Sequence, residues 1–107
     1  MLPIYYMGKI PNRIAKRLET WKNSKQDVPK EELHSVLNFF FGNQWSYGEK
    51  GTGSHNFKIS HEKFKGHSDY GPDGNMTIPV TGGQRVKHWY LKDLLKAIEI
   101  IKEGDES

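Results

Sequence analysis

Ser54-His55-Asn56-Phe57-Lys58-Ile59-Ser60-His61 carries the pattern that decides the fold. Phe57 and Ile59 alternate with Asn56 and Lys58, and a period of two puts alternate side chains on opposite faces of a strand. Upstream, Gln44 to Tyr47 reads as a partner strand, joined to it through the glycine-rich turn Gly48 to Gly53. Downstream, Gly71-Pro72-Asp73-Gly74 is a turn signal, and Met76, Ile78 and Val80 then alternate strictly. A third strand, antiparallel to the second, follows.

Outside this block the period changes to that of a helix. Ile14, Leu18 and Trp21 share one helical face, which predicts a helix near residues 12–23 with Asn12 as its cap. Pro29 is a helix-start signal, and Leu33, Val36, Leu37, Phe40 and Phe41 form an apolar stripe that ends before Gly42. Beyond the break at Gly82-Gly83, the residues Leu91, Leu94, Leu95, Ile98 and Ile101 repeat at helical spacing up to Gly104. The order helix, helix, strand, strand, strand, helix predicts an α+β fold of two layers, with the helices on one face of an antiparallel sheet. Without its first helix, this α-β-β-β-α order resembles the layout of double-stranded-RNA-binding domains.

At 107 residues the chain is expected to form one domain (1–107), with residues 1–28 as an extension carrying a basic helix and 29–104 as the core. The absence of cysteine excludes disulfides and thiolate metal sites and fits a reducing cytoplasm. No apolar run is long enough to cross a bilayer, and Met1 to Met7 is shorter than a signal-peptide core. Met7, followed by Gly8 and Lys9, reads as an alternative start, with Met1 to Tyr6 upstream of it. The net charge is only +3, but Lys9, Arg13, Lys16, Arg17, Lys22 and Lys25 are opposed in their stretch by Glu19 alone. A polyanion would therefore meet this end first. Arg13, Lys16 and Arg17 share a flank suited to phosphates and equally to plain solvation.

Gly51-Thr52-Gly53-Ser54-His55-Asn56-Phe57, then Pro72-Asp73-Gly74, Ile78-Pro79-Val80 and Leu91 to Ile98, resembles the HicA toxin family in motif order and spacing. The resemblance covers roughly residues 30–103. It implies a small toxin of a toxin–antitoxin pair, with a double-stranded-RNA-binding-like fold, that cuts mRNA and is held inactive by a HicB antitoxin. The family's catalytic histidine, in a glycine-serine-histidine motif, maps onto His55. This chain departs from the family in having Thr81 where many members carry a histidine after the proline-valine pair. Its loop from His61 to Asp73 is also longer than the minimal pattern.

The residues themselves suit that chemistry. RNA is cut without a metal or other cofactor when a base takes the 2′-hydroxyl proton, and histidine titrates near enough to neutrality to serve. His55 stands at the mouth of a strand beside Gly51 and Gly53, where a nucleotide backbone can approach closely, and Ser54 can bond a phosphate oxygen. By parity His55 shares a face with Phe57 and Ile59, so a histidine packed at the core edge is the competing reading. Lys50, Lys58, Arg85, Lys87 and His88 are the candidate cations for the phosphate. Lys58 points away from His55 by parity, and Lys87 and His88 have a second reading, orienting the entry of the last helix. Trp89-Tyr90 stacks on bases or anchors that helix. His55, His61 and His67 with Asp69 and Asp73 are evenly spaced, but nothing in the pattern supplies a second shell, and no metal is expected. Three functional readings emerge: an endoribonuclease, a module of the same fold that holds RNA without cutting it, and a lapsed toxin that only binds its antitoxin.

Overall fold

The computed structural model describes residues 10–50, 54–67 and 69–105. Its elements are α1 (Asn12–Asn23), β1 (Val28–Pro29), α2 (Glu32–Phe41), β2 (Trp45–Lys50), β3 (Ser54–Ser60), a 3-10 turn (Glu62–Phe64), β4 (Asn75–Pro79), β5 (Arg85–Val86) and α3 (His88–Asp105). The class is α+β, with three helices and a small antiparallel sheet among the described residues. No described helix is long and apolar enough to cross a membrane.

The sheet runs β2-β3-β4. Tyr47 lies opposite Phe57 on one side of the register, and Phe57 lies opposite Ile78 on the other. Phe57, Ile59, Met76, Ile78 and Val80 are buried, whereas Ser46, Lys58, Asn75 and Thr77 on the other face are exposed. Buried residues of all three helices join the inward face in one cluster, so the helices cover a single side and leave the polar side to solvent. Ile14 and Trp21 belong to the same cluster, which makes the basic N-terminal helix part of the core.

Three local details differ from the sequence reading. Pro11, not Asn12, is the N-cap of α1, and no side chain caps it. Pro29 does not open α2: with Val28 it forms β1, which pairs with β5, two residues each and too short for an alternating pattern to register. The first strand of the sheet also runs on through Gly48 to Lys50, and the rest of the expected glycine turn, residues 51–53, lies outside the described residues. Gly42 ends α2 as expected, with φ 58° and its N–H donating to the Asn38 carbonyl.

Polar clamps tie α1 and its link to the C-terminal third. Lys92 Nζ donates to the carbonyls of Trp21 and Ser24, each at 2.8 Å, satisfying acceptors at the end of α1 where a cation also suits the helix dipole. The Asp27 carboxylate accepts the backbone N–H of His88 at 3.1 Å and so caps α3 from 61 residues away. Partial burial works against the Asp27 charge, but the His88 N–H and the Lys87 ammonium at 3.4 Å outweigh it and hold this carboxyl below its ordinary pKa.

Candidate active site around His55

β3 places His55 on the inward face, at the end of the sheet, with its carbonyl accepting the Val80 N–H at 2.9 Å. The neighbouring ring is Tyr47, from the diagonal position on β2, nearly parallel to the imidazole at 20° with centroids 6.2 Å apart. Tyr47 in turn packs on Phe57 at 5.0 Å, and Phe57 on His34 of α2 at 5.9 Å. On another side lies the turn between β4 and β5. Gly83 is buried there with φ 74°, and a Cβ on it would sit 3.4 Å from both Cδ2 and Nε2 of His55. The positive φ is what favours glycine there, since the added Cβ would stand at ordinary contact distance from the imidazole.

Lys30, in the turn before α2, closes the arrangement. Its Nζ donates to the Gly83 carbonyl at 2.6 Å and lies 5.0 Å from the centre of the Tyr47 ring. A lysine, a phenol, a glycine turn and an imidazole thus meet from four separate segments.

Two atoms of this cluster stand out. The Tyr47 hydroxyl and His55 Nδ1 are buried without a hydrogen-bond partner, and they are the two such side-chain atoms among the described residues. An unpaired buried polar atom is costly, and its persistence calls for an explanation. The imidazole therefore has one sequestered nitrogen, Nδ1, while Nε2 lies on the side of Gly83.

The other predicted residues divide sharply. Gly53 lies outside the described residues, as do the side chains of Lys50 and Ser54. Lys58 is exposed on the opposite face of the sheet, as its parity indicated, and does not join His55. Arg85 donates to the Asp27 carbonyl at 3.1 Å. Lys87 and the His88 ring, with Nδ1 3.6 Å from Asp27 Oδ1, pair with the same residue's carboxylate, which matches the helix-orienting alternative for both. Arg17 bonds the Glu32 carbonyl at 3.1 Å and tethers α1 to α2, whereas Arg13 and Lys16 are exposed. Trp89 is 51% exposed with Lys87 Nζ 5.8 Å from its ring, and Tyr90 is the member of that pair that packs against the core.

His61 rests against Phe41 and Phe64, and His67 lies 4.0 Å from Asp69. No group of three histidine or acidic side chains able to hold a metal forms among the described residues.

Sequence reasoning missed Lys30, Tyr47 and Gly83. The hairpin register held a signal for Tyr47, since a strand paired across a short turn brings a ring on β2 diagonal to His55. Nothing local marks Lys30, which lies 53 residues from the carbonyl it holds. Comparison of the chain with protein-family models, with curated proteins and with solved structures gives no match.

Proposed function

We propose that this chain is a HicA-like endoribonuclease of double-stranded-RNA-binding-like fold, the toxin of a toxin–antitoxin pair, with His55 as general base. The observation that carries the reading is the His55 imidazole, held between Tyr47 and Gly83 with Nδ1 enclosed and without a partner. The order α2-β2-β3-β4-α3 and the uncovered sheet face support the fold assignment.

In this reading Nε2 takes the proton of a ribose 2′-hydroxyl. The 2′ oxygen then bonds the adjacent phosphorus, the bond from phosphorus to the 5′ oxygen breaks, and that oxygen takes a proton from water. Lys30, held by the Gly83 carbonyl and set against the Tyr47 ring, supplies the cation for the phosphate. Arg13 and Lys16 give non-specific affinity for the RNA backbone. A HicB-like antitoxin partner would restrain the activity in the cell.

A second reading, a module that binds RNA without cutting it, is favoured by one observation. No described residue accepts a proton from Nδ1, whereas a general base at Nε2 needs its proton on Nδ1. Incubating the protein with single-stranded RNA in EDTA separates the two. Under the enzyme reading, fragments with 2′,3′-cyclic phosphate ends accumulate and His55→Ala abolishes them while most RNA affinity remains. Cleavage that survives in His55→Ala removes His55 from the chemistry, and binding without cleavage in the unsubstituted protein selects the module.

A further inference from the structure

We infer that the Tyr47 hydroxyl is the positioning group for His55: it accepts the Nδ1 proton through one bridging water and so leaves the lone pair on Nε2. The inference rests on the reading of His55 as a general base. The two unpartnered buried side-chain atoms among the described residues belong to these two rings, which neighbour each other across β2 and β3. Each offers what the other lacks, since an Nδ1–H needs an acceptor and a phenol oxygen accepts. A water bridging them removes two desolvation costs in one step, at small entropic expense.

The surroundings hold Tyr47 to this task. Its ring is fixed by Phe57 at 5.0 Å on one side and by the Lys30 ammonium, 5.0 Å from the ring centre. Lys30 is itself held by the Gly83 carbonyl, so the base, its partner and the glycine wall are tied together. Which nitrogen of a histidine carries the proton is set by the hydrogen bond made by the other, and in enzymes that bond commonly runs from Nδ1–H to an oxygen. Here the described residues bring no carboxylate or carbonyl to Nδ1. Among the described residues, the Tyr47 phenol is the neighbouring oxygen left without a partner.

The test reads the tautomer directly, with no need for activity. In 15N spectra of the neutral side chain, His55 of the unsubstituted protein should show a protonated Nδ1 and an unprotonated Nε2. Tyr47→Phe, which keeps the ring and its packing, should move the proton to Nε2. The same variant should lower kcat by about tenfold or more with KM little changed, since the lost interaction orients the base and does not hold substrate. An Nε2–H tautomer in the unsubstituted protein overturns the inference, and so does a Tyr47→Phe spectrum with the proton still on Nδ1. If the tautomer behaves as stated but no RNA is cut, the positioning role stands and the nuclease reading fails.

Discussion

Gly82 and Gly83 offer a paired experiment that separates backbone strain from coverage of the imidazole. Both have left-handed backbone, with φ 60° and 74°, so alanine at either position should cost about 1–2 kcal/mol from the clash of Cβ with its own backbone. Beyond that they differ. A Cβ at Gly82 meets nothing within 4 Å, whereas one at Gly83 reaches His55 Cδ2 and Nε2 at 3.4 Å and Cε1 at 3.5 Å. Those distances are close to ordinary van der Waals contact, so packing adds little to the stability loss. The methyl nevertheless rests on the face of the imidazole, nearly equidistant from Cδ2, Nε2 and Cε1, so that any shift of the ring to admit it displaces the base. Gly83→Ala should therefore lose roughly a hundredfold or more in RNA cleavage, the scale of a displaced general base, while Gly82→Ala stays near the parent rate. Urea denaturation followed by circular dichroism gives the two stabilities, and cleavage of a fluorescently labelled single-stranded RNA in EDTA gives the rates. Equal activity loss in both variants at matched stability would refute the reasoning, because the effect would then come from the turn's backbone.

Trp21→Ala should cost about 3–5 kcal/mol, since the ring is fully buried and its Nε1–H reaches Glu32 Oε1 at 3.3 Å; a loss below about 1 kcal/mol in denaturant would place α1 outside the cooperative core. Asp27→Asn should destabilise the protein near neutrality and progressively less in acid. A carboxyl held below its ordinary 3.8 stabilises the fold above that pH and loses the contribution as pH falls through the lower folded value, so parallel pH dependence of the two proteins would disprove the clamp. Replacing exposed Arg13 and Lys16 with alanine should reduce the logarithmic salt slope of single-stranded RNA binding by about 0.7 per residue, while Arg17→Ala should leave it nearly unchanged because that guanidinium is committed to Glu32 and Ser35. An Arg17→Ala effect as large as the others, measured across a salt series, would show that its tether opens to meet RNA.

The elements legible from the sequence are those set by local periodicity. The alternation at Phe57 and Ile59 and at Met76, Ile78 and Val80, and the helical stripes from Leu33 to Phe41 and from Leu91 to Ile101, each say which side chains share a face, and burial follows those faces. Parity likewise separated Lys58 from His55 before any packing was known. The two-residue strands β1 and β5 were illegible because they are shorter than one period. Trp89 and Tyr90 were legible as a pair but not individually, since which ring turns inward depends on the packing of α3.

The sequence by itself determined that this is an α+β chain with His55 on the inward face of its second long strand. Tertiary structure alone decided what surrounds that imidazole. Gly83, Lys30 and Tyr47 arrive from separate turns and strands, and the contact between Lys30 and Gly83 closes a span of 53 residues. Tertiary structure also decided which cations are spent internally: Arg85, Lys87 and His88 meet Asp27 across about 60 residues of chain, and Arg17 meets Glu32. The physical reason is one of range. Sterics and side-chain period act over a few residues and leave a readable pattern, whereas a hydrogen bond between distant segments forms only after the core has packed and set their separation.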